Sequence, residues 1–218
     1  MHRILIVLMV GWMSSVAWAA DATQPHPHSG VLSPYPSSPT LPTLSADDLA
    51  KLADGKPVQK QMKESGSSGG RGLAVQDVRA TPEEIWSRIM ALEKYTEWVS
   101  NVTECEVYER KGAHIKARFV LSATVMSVEY FINHTFYPDK NYLTWTLDYS
   151  KESDLDDSVG FWYVQPLQEK PGWSRLYYSV DVQLKGWVPG FIENMITKSG
   201  LSKATSWVKR ESEKIAKH

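Results

Sequence analysis

Four polar side chains stand on predicted strands of an otherwise apolar, aromatic stretch: Arg118, Glu129, Asn133 and His134. A strand has a period of two, so Glu129 and Asn133 share one face and His134 points to the other. A carboxylate enclosed by apolar groups rises in pKa and gains the strength to act as a base. Glu129, with Asn133 beside it, is therefore the candidate polar group of an interior pocket. The plainer reading places Glu129 at the surface, paired with a basic neighbour such as Arg118. No acid–base pair, no nucleophile with its base and no metal triad stands at readable spacing. No catalytic residue, metal ligand set or cofactor is expected, and enzyme activity is left open.

Other reactive residue types have bland readings. Asp148, Glu152, Asp154, Asp156 and Asp157 form an acidic run without the glycine or spacing of an EF-hand loop, so a solvated hairpin turn is expected. His26 and His28 flank Pro27 in a tail and are read as incidental rather than as metal ligands. Cys105 is the single cysteine, which excludes an intramolecular disulfide and a cysteine zinc cluster. Its place in a strand suggests a small core residue. Asn101-Val102-Thr103 and Asn133-His134-Thr135 match the glycosylation sequon, which matters only in a eukaryotic host.

The 218 residues suit one large domain or two small ones, and a hydrophobic content of 42% with nine Trp, ten Tyr and five Phe is ample for a core. A formal charge of -1 offers no electrostatic reason for nucleic acid or an acidic membrane as partner. Residues 1–19 read as a signal peptide: Arg3, an apolar run from Ile4 to Trp12, then Ala17-Trp18-Ala19 with cleavage after Ala19. The apolar run is too short to span a bilayer. The mature protein is expected to be exported to a periplasm or beyond, with no membrane span, as a monomer. Residues 20–44, with Pro25, Pro27, Pro34, Pro36, Pro39 and Pro42, are expected to be a disordered tether.

Folded structure is predicted from Ser45, an N-cap for a short helix that Gly55 ends. Residues 45–70 read as this helix plus an edge hairpin extension, whose first strand is Lys56–Lys63, and 71–218 as the main domain. Thr81-Pro82-Glu83-Glu84 is a capping box with proline at N1, opening a helix to about Met90, and a second short helix runs from Leu92 to Val99. Six strands follow: Val102–Glu109, Ala113–Thr124, Val128–Tyr137, Tyr142–Tyr149, Val159–Leu167 and Ser174–Leu184, joined by short turns into an antiparallel meander. Val188, Phe191, Ile192, Met195 and Ile196 then form one stripe of a long helix, and Leu201, Ala204, Val208 and Ile215 a second, rotated stripe. The change falls at Ser199-Gly200, where a bend or a shift of buried face is predicted. The class is α+β.

This order resembles the helix-grip fold of the START-like (SRPBCC) superfamily, which covers polyketide cyclases, coenzyme Q-binding proteins and START domains. Ala80-Thr81-Pro82-Glu83-Glu84-Ile85-Trp86 is similar to the start of its first helix, and Tyr95-Thr96-Glu97-Trp98-Val99-Ser100-Asn101-Val102 to its "Y-x-x-W-x-p-x-v" segment, with Ser100 in place of proline. Leu143-Thr144-Trp145, Val159-Gly160-Phe161-Trp162 and Trp187-Val188-Pro189 resemble later landmarks of the family. The resemblance covers residues 71 to 215. It implies a curved antiparallel sheet of six to seven strands around a long C-terminal helix, with a cavity between them that holds a hydrophobic small molecule or lipid. The lining expected on that basis is Trp86, Tyr95, Trp98, Trp145, Trp162, Tyr178, Phe191, Met195 and Ile196. Ser199, Gly200 and Ala204, small at mid-helix, either leave a void or allow close approach to the sheet. An exported ligand carrier without covalent chemistry is expected, against a cyclase- or hydrolase-like enzyme and an interaction module with a filled pocket.

Overall fold

Two capping boxes set the first helices. Ser45 Oγ accepts from Asp48 N while Asp48 reaches back to Ser45 N, and Thr81 and Glu84 repeat the exchange with Pro82 at the first helical position. The computed structural model describes residues 20–62, 69–123, 126–185 and 198–216. In chain order these form α1 (Ala46–Ala53), β1 (Val58–Met62), β2 (Gly69–Val78), α2 (Pro82–Ile89), a 3₁₀ turn (Leu92–Lys94), α3 (Tyr95–Trp98), β3 (Val102–Lys111), β4 (His114–Ala123), β5 (Met126–Tyr137), β6 (Tyr142–Leu147), β7 (Leu155–Pro166), β8 (Ser174–Leu184) and α4 (Lys198–Glu213). The expected signal peptide, the tip of the first hairpin, and Phe191, Met195 and Ile196 lie outside the described residues, as does the first half of the predicted bend at Ser199-Gly200.

All eight strands form one antiparallel sheet in the order β1-β2-β8-β7-β6-β5-β4-β3. Consecutive strands from β3 to β8 are neighbours because their connections are short, and β8 then returns beside β2 along ten paired residues. The first hairpin forms one edge, as expected. α4 crosses the concave face close to β2. Gly72 makes that approach possible: a Cβ there would sit 2.5 Å from the Leu201 side chain, which fills the space instead. With α4 and the α2 region on this face, the chain is α+β with the helix-grip arrangement.

The two sides of the sheet carry separate cores. Concave residues, among them Ala74, Ile132, Leu143, Leu147, Val164, Leu176 and Val180, join Ile85, Ile89, Leu201 and Val208 of the helices. Convex residues Val58, Val75, Tyr142, Phe161 and Tyr177 join Leu52 of α1, with Tyr35, Leu41 and Leu44 packed on top. Burial of one such large side chain stabilises the fold by about 2–3 kcal/mol, so both faces contribute.

The expected tether is instead a strap on the convex face. Its contacts recur every third residue. His26 N donates to Tyr149 O at 3.1 Å, Ser29 N to Asp156 Oδ1 at 2.7 Å and Leu32 N to Asp157 Oδ2 at 2.6 Å. Tyr35 packs edge-on to Phe161, Ser38 Oγ accepts from Lys140 Nζ, and Leu41 and Leu44 complete the second core. Three residues per turn is the polyproline II repeat, and the prolines between these contacts hold the chain extended at little further entropy loss. The composition that suggested disorder thus supplies a chain that loses little entropy on docking.

The strap also overturns the solvated hairpin expected for the acidic run. Asp156 and Asp157 are fully buried and Asp148 nearly so. A register slip between Leu155 and Asp157 leaves Asp156 as an extra residue. Asp156 accepts from Ser29 N and Oγ, and Asp157 from Leu32 N, Tyr149 Oη and Ser158 N. His26 lies beside them: its Nε2 donates to Asp156 O at 2.7 Å and its Nδ1 accepts from Ser153 N at 3.1 Å, so it is a structural ring in the strap. At the other end of the chain, Ile215 falls beyond α4 and is exposed rather than part of the buried stripe.

Candidate functional site

A cavity of about 360 Å³ lies between the concave face and α4, above the small-molecule threshold of roughly 300 Å³. Its walls are set by strand periodicity. Phe119 and Leu121 of β4 face Tyr130, Ile132 and His134 of β5; Trp145 of β6, Ser158 and Trp162 of β7, and Tyr178, Val180 and Val182 of β8 continue the surface. Tyr95, Leu155 and Trp207 complete the interior, and Val99, Ser100, Asn101, Lys203 and Ala204 also border it. The rings form two walls. On one, Tyr178 stacks on Trp145 at 5.7 Å and meets Trp162 at 4.4 Å. On the other, Phe119 stacks on Tyr130 at 5.4 Å, and Tyr95 contacts Trp207 edge-on at 4.9 Å. Flat aromatic faces presented this way suit an apolar or ring-bearing guest.

The polar groups inside are neutral. His134 Nδ1 lies 3.1 Å from Ile115 O, and a carbonyl can only accept, so Nδ1 carries the proton and Nε2 is left as an acceptor. Burial holds the imidazole down to a pKa of about 4, against a small opposing effect of the Ile115 bond. The phenols of Tyr95, Tyr130 and Tyr178 are pushed up, chiefly by burial, and stay protonated. Tyr95 Oη donates to Ile89 O at 2.7 Å, and Trp145 Nε1 donates to Ser158 Oγ at 3.4 Å. Among the described residues, no carboxylate borders the cavity.

Of the nine lining residues expected, Tyr95, Trp145, Trp162 and Tyr178 line the cavity. Trp86 does not: it packs on Phe136 at 4.7 Å under α2, on the same face but beyond the cavity. Trp98 also lies outside, between the Arg88 guanidinium at 5.4 Å and Trp207 at 6.2 Å. Phe191, Met195 and Ile196 lie outside the described residues.

The two candidate polar pocket groups face away from the cavity, and for Glu129 the plainer reading, a pair with Arg118, holds. Glu129 is opposite Val120 on the convex side, where it pairs with Arg118, which also binds Glu104 Oε2 at 2.6 Å. Asn133 pairs with Thr146 on that side too, its Oδ1 buried without a partner among the described residues. Glu129 and Asn133 do share a face, and the cavity takes the opposite parity, that of His134. Phe119, Tyr130, His134 and Trp207 were missed. Their signal was present in the alternation of Tyr130, Ile132 and His134, and in the three-residue step from Ala204 to Trp207. Ala204 borders the cavity while Leu201 anchors to β2, so α4 itself carries both tasks.

A curved antiparallel sheet gripping a C-terminal helix, with an aromatic cavity between them, defines the class: a helix-grip domain built to enclose a hydrophobic ligand. The chain belongs to the family described as polyketide cyclase / dehydrase and lipid transport, which it matches over residues 78–204. Among solved structures it is similar to a protein of Thermus thermophilus (16% identity, TM-score 0.58, covering 67% of this chain and 99% of that one). It is also similar to the Zhui aromatase/cyclase of a Streptomyces species (10% identity, TM-score 0.57, 73% and 97%). A STAR-related lipid transfer protein fragment of Xanthomonas axonopodis has the same fold (10% identity, TM-score 0.59, 72% and 93%). No curated protein matches by sequence. At these identities the structural likeness shows the fold. No helix among the described residues is long and apolar enough to cross a membrane.

Proposed function

We propose that this protein is an exported carrier that binds one lipid or isoprenoid-like molecule in the concave cavity and performs no covalent chemistry on it. The observation that carries this reading is the aromatic cavity of about 360 Å³ whose polar groups are all uncharged except for Lys203 at its border. Burial of the ligand's apolar surface supplies the affinity, while His134 Nε2 and the tyrosine hydroxyls fix a hydroxyl or carbonyl of the guest. Export follows from the leader pattern of residues 1–19.

The cyclase-like reading draws on one observation, a buried histidine in a cavity that also holds three phenols and Ser158. His134 is a weak base for it. Its pKa of about 4 is far from neutral, and its Nδ1 is held by a backbone carbonyl instead of a carboxylate. The test is titration with a hydrophobic fluorescent probe. Wild type is expected to bind, and Ala204→Phe, which fills the cavity from α4, to weaken binding at least tenfold with the fold intact by circular dichroism. Equal binding by both would remove the cavity from the account.

A further inference from the structure

The strap begins at an acidic group that its first residue already touches. Ala20 N lies 3.0 Å from Asp154 Oδ1, and the other carboxylate oxygen of Asp154 accepts from Glu129 N at 2.7 Å. The carboxylate is half-buried, and no side-chain cation pairs with it among the described residues. Its surroundings are acidic: Glu129 is taken up by Arg118, and Glu152 by Lys185 at 3.4 Å. Lys151 gives its ammonium to Ala22 O at 3.3 Å. Asp21 turns back onto Thr23. A carboxylate so placed is short of one positive charge.

Ala20 is also the residue that leader cleavage after Ala19 would make first. We infer that the α-ammonium of Ala20, released by leader removal, is the missing partner of Asp154, so that processing latches the strap onto the convex face. The inference rests on the export reading and the cleavage site given above. In the reaction, water adds across the Ala19–Ala20 amide and the C–N bond breaks. Ala19 leaves with a carboxylate, and the nitrogen of Ala20 takes up a proton to become an ammonium. One neutral donor on Asp154 thereby becomes a cation with three donors, at the position the amide nitrogen already occupies. Charge-assisted bonds of this kind are roughly twice as strong as neutral ones.

Burial, with Glu129 and Glu152 nearby, raises the Asp154 carboxyl above the usual carboxylate range, and a cation on it reverses that cost. The latch has somewhere to transmit its effect. From Ala20 the chain passes directly to His26, Ser29 and Leu32, whose bonds satisfy the buried Asp156 and Asp157. The precursor, still carrying residues 1–19, offers Asp154 a neutral amide at Ala20 in place of an ammonium, and its strap opens more readily.

The test compares two full mature chains, one starting at Ala20 and one with a single glycine before Ala20, each with Asp154 or Asp154→Asn. Intact mass of the exported protein first establishes where the native chain begins; a different start overturns the cleavage reading, while the two defined chains still test the latch. The α-amino pKa of the Ala20 chain is expected to lie at least one unit above the usual value of about 8, and to return to it in Asp154→Asn. Exchange of the His26 and Ser29 amides is expected to be about tenfold faster in the glycine-extended chain, which moves the ammonium away without altering Asp154. An ordinary α-amino pKa in the Ala20 chain, or equal exchange in the two chains, overturns the latch.

Discussion

The polar groups lining the concave cavity are uncharged but for Lys203 at its border, and His134 has bonding capacity to spare; beneath the strap on the convex face, the buried Asp156 and Asp157 are held by bonds from the strap, Tyr149 and Ser158. His134 keeps Nε2 free of any protein donor among the described residues, whereas Asp157 accepts from three separate groups. Both faces bury large aromatic residues, so hydrophobic content does not separate them. The difference is in satisfaction. A site whose polar groups are complete, as around Asp156 and Asp157, is structural, because any competitor must displace existing bonds. A face that leaves neutral acceptors and hydroxyls inside an apolar space can take a guest without a charge penalty.

The contrast can be broken on either side. The largest effect is expected on the convex face, from Asp157→Ala. Leu32 N, Tyr149 Oη and Ser158 N lose their acceptor at a site with no exposure, and stability should fall by about 4 kcal/mol. Chemical denaturation measures it, and a loss under about 1 kcal/mol would show that the strap adds little. Gly160→Ala comes next. A methyl group there would collide with the Trp145 ring and the Ser179 carbonyl, and a backbone oxygen cannot move aside. A loss of about 3 kcal/mol is expected, together with loss of probe binding, because Trp145 is displaced into the cavity.

His134 and Glu129 give the smaller, paired test. His134 is neutral in the fold down to a pKa of about 4, whereas an unfolded histidine takes up its proton near 6.5. Between those values the unfolded state binds the extra proton, so stability falls as the pH falls, by up to about 1.4 kcal/mol per unit. Above pH 6.5 the contribution is complete, and below 4 it is fully lost. His134→Gln should flatten that slope in pH-dependent unfolding and weaken binding of a hydroxylated ligand. Glu129→Gln should leave ligand affinity within twofold of wild type in the same titration, because Glu129 lies on the other face. A large loss in Glu129→Gln would place the wrong face in the account.

The same contrast explains what could be read in the sequence. The capping residues Ser45 and Thr81, the six strands of the meander and the edge hairpin were legible, because local chemistry fixes them. The choice of concave parity was not. A sheet with one face in water shows alternation of apolar and polar residues, but β7 is buried almost continuously from Leu155 to Val164, since the strap covers its outer side. With both faces of β7 covered, alternation there no longer names the concave side, and on β5 the opposed pair of Glu129 with Asn133 against His134 left the parity open. The strap itself was hidden by composition. Prolines and serines read as disorder unless contacts are sought at a spacing of three, where His26, Ser29, Leu32, Tyr35, Ser38, Leu41 and Leu44 fall in line. The aspartates were hidden for the same reason, because their partners lie about 125 residues earlier in the chain.

The central claim is that the concave cavity holds one small hydrophobic molecule. Native mass spectrometry of the protein purified from its own compartment, followed by solvent extraction, tests it most directly. The expected result is a bound mass at one equivalent, released into the organic phase and absent from Ala204→Phe. Repeated recovery of wild type at its bare mass, or an adduct that Ala204→Phe retains in full, would contradict it.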